Sequence, residues 1–228
     1  VLVIGGGISG LHAAIRAAEN GADVLVVDKG GIGWAGCVPL TAGICMAVPP
    51  ERFDDWFNWA VRENGEYLNN QDWTRLVGNE AYRTVTGEVE ELKLPYLEEN
   101  GELVFSQRQR YYPTARYNPA KLLIKLKSAA KKNRARLMDK VFIADLLRSD
   151  RKVTGAVGFS LTDGKPLIFQ AKATIIADGS LMSQGNKFFV VNTGVGISMA
   201  YRAGAELMNA EFGPGYGYGF KDGELYKR

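Results

Sequence analysis

VLVIGGGISGLHAAIRAAENGADVLVVDKG, residues 1–30, opens the chain. Residues 1–4 are an apolar run of the kind that forms a short buried parallel strand. Gly5-Gly6-Gly7-Ile8-Ser9-Gly10 then fits G-x-G-x-x-G. Residues 11–20 have helical periodicity, with Leu11, Ala14, Ile15 and Ala18 on one face. Gly21 ends the helix, and residues 23–27 read as a second strand finishing at Asp28. The spacing gives the glycines separate roles. Gly5 permits the tight strand-to-helix turn, Gly7 lets the backbone approach a pyrophosphate, and Gly10 lets the helix pack closely on the strand. Ile8 and Ser9 fall in the first helical turn, where unpaired N–H groups and the positive end of the helix dipole face a phosphate. Asp28 stands eighteen residues past Gly10, close to the ~20 expected of an acid that binds the adenosine ribose hydroxyls. Strand, glycines, helix, strand and terminal acid in that order predict a dinucleotide-binding βαβ unit.

The bulk properties agree with one large α/β domain or one domain with an insert. The chain has 228 residues, of which 46% are hydrophobic and 23% charged. A formal net charge of +3 gives no reason to expect a nucleic-acid partner, and no apolar run approaches the ~20 residues that span a bilayer. The sequence shows no signal peptide and starts inside a strand without Met, so an N-terminal extension is expected. Cys37 and Cys45 form neither a CxxC pair nor a metal cluster. A single His in the chain argues against a His-based metal site or a Ser-His-Asp triad. A reducing, cytoplasmic setting is the default expectation.

After Asp28 and Lys29 comes a glycine-rich loop, Gly30-Gly31-Ile32-Gly33-Trp34-Ala35-Gly36-Cys37, and then small and apolar residues to Ala47 with Gly43 among them. A loop of this kind can lie flat against a ligand. Lys29, Ala35-Gly36 and Ala42-Gly43-Ile44 together resemble the FAD-binding flavoprotein subunits of the fumarate reductase and succinate dehydrogenase superfamily, which includes L-aspartate oxidase and the adenylylsulfate reductase alpha subunit. Members with covalent flavin carry His where this chain has Gly36, so the resemblance implies non-covalent FAD. It also sets the flavin near Gly36, Cys37 and Gly43.

Residues 49–117 read as a helical insert. Phe53, Trp56, Trp59 and Ala60 share one helical face, residues 73–92 form one or two more helices, and a short β segment is expected around 94–105. Residues 106–117 (SQRQRYYPTARY) interleave arginines with tyrosines and read as a solvated polar loop, with an anion- or nucleotide-facing surface as the alternative. Residues 118–134 form an amphipathic helix with a basic, solvated face, and residues 139–147 form the strand that the resemblance sets against the adenine edge at Ile143. Residues 152–160 and 166–169 pair as a hairpin across Thr162-Asp163-Gly164.

Residues 173–177 are another apolar strand, and Ala177-Asp178-Gly179-Ser180 stands where the family has Ala-Thr-Gly-Gly, whose backbone passes the FAD. Residues 192–207 resemble the family's T-G-D-G-I-x-M-A-x-x-A-G-A-E-L turn and helix, with Gly194 kept and Val195 in place of the Asp that contacts the cofactor. Tyr216 stands where the family's substrate-contacting His would be, and Phe220-Lys221-Asp222-Gly223 is closer to the adenylylsulfate reductase branch. His12 reads as a packing or surface residue, and no catalytic residue is assigned.

The expected fold is a Rossmann-like FAD-binding domain over residues 1–228, with a central parallel sheet, a β-hairpin layer and the insert at about 49–117. By the resemblance, the family's capping domain is not expected within residues 1–228, so either the protein is longer than this sequence or it is an unusually small relative. The expected function is two-electron transfer through FAD to or from a small anionic substrate, a dicarboxylate or a sulfur-oxyanion nucleotide. An iron–sulfur protein or another redox subunit is the expected partner. The alternative is a subunit that holds FAD for electron transfer without its own substrate site.

Overall fold

The computed structural model describes residues 1–34, 36–40, 43–96, 98–99, 102–103, 105–107, 113–180, 193–208, 218–221 and 224–227. In chain order the elements begin with β1 (Leu2–Ile4), α1 (Ile8–Glu19), β2 (Leu25–Val27), β3 (Ile44–Met46), α2 (Phe53–Trp59) and α3 (Gln71–Leu92). Four strands follow, β4 (Glu98–Glu99), β5 (Glu102–Leu103), β6 (Phe105–Gln107) and β7 (Pro113–Arg116), and then α4 (Pro119–Lys132). The remainder is β8 (Arg136–Met138), β9 (Val141–Ser149), β10 (Lys152–Ser160), β11 (Pro166–Gln170), β12 (Thr174–Ile176), α5 (Val195–Arg202), β13 (Tyr218–Lys221) and β14 (Glu224–Lys227). These elements make two compact units, Val1–Pro39 with Leu126–Arg228, and Leu40–Lys125.

The first unit is built on a parallel sheet ordered β12-β1-β2-β8. Leu2 pairs with Thr174 on one side and Leu25 on the other. All three β1 residues are buried, because packed layers cover the faces of the parallel sheet. The apolar stripe of α1 buries Leu11, Ala14 and Ile15. A second, antiparallel sheet has the order β11-β10-β9. Leu2, Ile4 and Val27 of the parallel sheet share one apolar core with Val141 and Ile143 of β9, Ala156 of β10 and Met199 of α5.

Two features of the first unit differ from the sequence-based expectation. The strand expected at residues 139–147 is β9, shifted two residues, and it makes the hairpin layer three-stranded. The three residues Arg136–Met138 form β8, the fourth parallel strand, with Leu25 opposite Arg136.

The second unit holds α2 and α3. Trp56 and Ala60 are buried, and α2 runs on into a π-helical turn at Ala60–Asn64. α3 is one continuous helix of 22 residues, capped at its start by Asn70, whose side chain accepts the Trp73 amide at 3.0 Å. This unit also contains the antiparallel sheet β3-β7-β6 and the β4–β5 pair. Residues 113–116 are therefore a strand and not a solvated loop. Ala115 and Thr114 are buried in β7, the middle strand, which pairs with β3 on one edge and β6 on the other, and Ala115 packs with Ala47 and Val85. Residues 108, 110, 111 and 112 of the same stretch lie outside the described residues.

Cys45 of β3, Tyr96 and Glu88 of α3 meet inside this unit. The Tyr96 hydroxyl donates to Glu88 Oε2 at 3.2 Å, and Cys45 Sγ lies 3.8 Å from the Ala115 carbonyl. Burial pushes the Cys45 thiol from its ordinary 9.0 up to about 11, against the opposing effect of its hydrogen bond with Tyr96. Tyr96 is pushed up as well, again chiefly by burial. The unfolded chain loses the Cys45 proton first as pH rises, while the folded chain keeps it. This contribution to stability is complete below the ordinary value of 9.0 and is lost as pH climbs to about 11. Urea unfolding is expected to show stability falling by about 2 kcal/mol across that window, and Cys45→Ala should remove most of the fall.

Candidate functional site

The site grows from three neighbouring strand ends of the first unit. β1 ends in the glycine turn, and the strands on its two sides, β2 and β12, end at Asp28 and at Ala177-Asp178-Gly179. Parallel sheets place ligands at such carboxyl ends, where chains leaving adjacent strands diverge.

The glycines of the turn have different physical reasons. Gly5 adopts φ +107°, and a Cβ there would stand 2.3 Å from the Ala177 carbonyl oxygen. A Cβ on Gly10 would stand 1.8 Å from the Gly5 carbonyl oxygen. Both positions are therefore glycine for the sake of the fold. Gly7 differs, because no described protein atom lies within 4 Å of where its Cβ would be, and it faces the cleft. Gly7 is the N-cap of α1, and without a side chain it leaves the backbone open to close approach by a ligand.

Asp28 is held by two backbone donors. Its Oδ2 accepts the Gly6 amide and its Oδ1 accepts the Gly30 amide, both at 2.6 Å. A carboxylate with one amide on each oxygen keeps further acceptor capacity on both. It is fixed in place and still able to accept hydroxyls. The loop after it is tied back by Ile32, whose amide donates to Asp139 Oδ1 at 2.8 Å.

These groups line a cleft of about 430 Å³. Gly5, Gly7, Ile8 and Ser9 form one wall, and Asp28 and Lys29 lie beside it. Gly36 and Cys37 line it from the glycine-rich loop, and Ala177, Asp178 and Gly179 from the end of β12. Gly10 sits under the turn, buried. Among the other residues named from sequence, Ile143 is a core residue that lines a smaller adjoining cavity together with Val195. Gly194 is the left-handed residue before α5, with φ 71°. Gly43 belongs to the second unit, where a Cβ would stand 2.0 Å from the Tyr117 carbonyl oxygen, so packing there suffices to require glycine. Tyr216 lies outside the described residues. His12 Nδ1 is 2.7 Å from the Ile8 carbonyl within α1, in keeping with a packing role.

Sequence reasoning missed Phe142 and Leu161, which supply apolar surface to the cleft. The signal for Phe142 lay in the alternation of β9. Val141 and Ile143 are buried, so Phe142 must point to the opposite face, where it is half-buried and its ring lies 5.3 Å from that of Phe159. Asp178 also has a partner the sequence did not suggest. Its Oδ2 accepts the amide of Gly196 in the first turn of α5 at 2.8 Å. A Cβ on Gly196 would stand 1.9 Å from Asp178 Oδ1, so the carboxylate in this position requires glycine at 196.

A glycine turn at a helix start, amides facing an open cleft and an anchored acid at the next strand end define a dinucleotide-binding domain. Residues 1–222 match the FAD binding domain family, and the chain belongs to it. FAD is thus the cofactor of this domain, and the residues present fit it. The turn could hold a pyrophosphate against the space beside Gly7, Asp28 could hold a ribose, and Phe142 and Leu161 offer apolar surface to a flat ring.

Among curated relatives, the chain is 29% identical over 227 residues to one subunit of the fumarate reductase (CoM/CoB) of Methanothermobacter marburgensis, covering 92% of this chain and 41% of that protein. It is 27% identical over 236 residues to the succinate dehydrogenase flavoprotein subunit of Rickettsia bellii, covering 93% and 38%. Among solved structures it is similar to the apo Sdh1 complex of Mycobacterium smegmatis, with TM-score 0.77, 25% identity and coverage of 89% and 38%. The adenylylsulfate reductase of Archaeoglobus fulgidus matches with TM-score 0.72, 27% identity and coverage of 90% and 35%. The chain spans about two fifths of the length of the curated relatives it matches.

Proposed function

We propose that this chain is the FAD-holding portion of an FAD-dependent oxidoreductase that moves two electrons to or from a small anionic substrate, a dicarboxylate or a sulfur-oxyanion nucleotide. The observation that carries the proposal is the doubly anchored Asp28 beside the bare Gly7, within a chain that matches an FAD-binding family over nearly its whole length. Similarity to proteins named fumarate reductase, succinate dehydrogenase and adenylylsulfate reductase supports the two substrate classes.

In this proposal the amides of Gly7, Ile8 and Ser9 take the pyrophosphate, Asp28 takes the adenosine ribose, and Lys29 adds positive charge beside them. Gly36 and Cys37, with the backbone of Ala177 and Gly179, lie along the flavin side. Ile143, Gly43 and Gly194 enter only through the family resemblance. When bound, the flavin supplies the two-electron chemistry. The residues of the cleft bind and orient it. A further redox subunit, such as an iron–sulfur protein, is the proposed electron partner, and a cytoplasmic setting is part of the same proposal. Among the described residues no helix is long and apolar enough to cross a membrane.

The test uses purified, flavin-loaded protein under anaerobic conditions, offered succinate, aspartate, and sulfite with AMP in turn. Loss of the oxidised flavin colour with one of them is the expected result. Colour unchanged by all of them, but lost on adding a chemical reductant, would replace this reading with that of an electron-transfer subunit without its own substrate. Val195, an apolar residue beside the cleft, is the observation that favours this second reading. Acid precipitation is expected to leave the flavin in the supernatant, because Gly36 offers no side chain for a covalent link. Flavin retained in the pellet would contradict that.

A further inference from the structure

We propose that Asp178 is a specificity-determining residue that accepts hydroxyls from the sugar-alcohol chain on the flavin side of the cofactor, opposite the ribose side held by Asp28. This rests on the FAD reading of the cleft and adds to it a residue outside the glycine turn.

β12 and β2 lie on opposite edges of β1, so Asp178 and Asp28 flank the glycine turn from both sides. Both line the same cleft. Between them α1 presents its first-turn amides with no acidic side chain among them, and Lys29 stands beside them. Across the cleft the order is therefore carboxylate, amide donors, carboxylate. Phosphates are repelled by carboxylates and bound by amide donors, whereas hydroxyls donate to carboxylates. A ligand whose own order is hydroxyls, pyrophosphate, hydroxyls matches that pattern, and FAD has it, with ribose on one side and ribityl on the other.

Asp178 is also built to stay in position. Gly196 donates to its Oδ2 at 2.8 Å, and the missing Cβ of Gly196 leaves the space its other oxygen occupies. One amide bond leaves the carboxylate with acceptor capacity to spare. The rival account is purely structural. α5 begins at Gly194 with no side-chain cap of its own, and Asp178 could serve only as that cap. A cap alone predicts lower stability on substitution and no change in which ligand is preferred.

The experiment titrates flavin-stripped protein with FAD and, separately, with ADP, which carries the ribose and pyrophosphate but no ribityl chain. Asp178→Ala is expected to weaken FAD about 10-fold, the effect of losing one charged hydrogen-bond acceptor. It should leave ADP within about twofold, so the FAD-to-ADP preference drops. Asp178→Asn keeps one oxygen for the Gly196 amide, preserves the fold if the Ala variant is unstable, and should show a smaller fall in the same direction. FAD and ADP weakened equally, or FAD unchanged, would overturn the inference while leaving the FAD reading in place. Wild-type protein that takes no FAD at all would overturn both.

Discussion

Gly10→Ala is expected to purify without flavin. The added Cβ would stand 1.8 Å from the carbonyl oxygen of Gly5. That oxygen belongs to backbone that cannot swing aside, since the Gly5 amide donates to the Val27 carbonyl at 2.8 Å and so ties the turn to β2. α1 must therefore lift from β1 or the turn must open. Either movement displaces the Gly7 to Ser9 amides, and both affect the core under Leu11 and Ile15. A loss of about 3 kcal/mol of stability or more is the scale for backbone overpacking of this kind. Flavin-to-protein ratio after gel filtration, read together with the melting temperature, checks it. Gly7→Ala serves as the contrast. Its Cβ meets no described protein atom within 4 Å, so the fold should survive while FAD affinity falls.

The second large effect is expected from Asp28→Asn, a change that looks conservative. Each carboxylate oxygen of Asp28 accepts one backbone amide, from Gly6 and from Gly30, at 2.6 Å. An asparagine has one oxygen, so whichever way it turns, its NH2 group faces one of those amides as donor against donor. Leaving a donor unsatisfied and losing the charge each cost on the order of 1–3 kcal/mol. Binding of FAD should fall about 100-fold, which corresponds to about 2.7 kcal/mol. ADP should weaken by a similar factor, because the ribose is common to both ligands. An Asn variant binding FAD like wild type would show that the carboxylate holds the loop and not the ligand.

The parts of the fold that were legible in sequence are those whose determinants are local. The turn at Gly5 to Gly10, the apolar stripe of α1 and the acid after β2 fall within 28 residues, and each obeys a rule of spacing. β8 was invisible because its three residues alternate exposed, intermediate, exposed at the sheet edge, so no apolar run marks it. It is a strand because Arg136, Leu137 and Met138 find β2 beside them. The sheet β3-β7-β6 was hidden for a related reason. Ile44 pairs with Arg116, and nothing near either residue announces a partner so distant along the chain.

At the site, the family pattern led to Ala177 and Gly179 but left Asp178 as a departure. Its meaning emerged only with Gly196 against it, a contact across 18 positions of the chain. Gly43 was found through a cofactor-associated pattern, and in the second unit the Tyr117 carbonyl gives its glycine a packing reason as well.

The most direct test of the central claim is a crystal structure of the protein with FAD bound. The expected result is an extended cofactor with its pyrophosphate on the amides of Gly7, Ile8 and Ser9, and the Asp28 carboxylate within about 3.2 Å of the adenosine ribose hydroxyls. FAD bound elsewhere, or bound with Asp28 out of reach of any sugar, would contradict it.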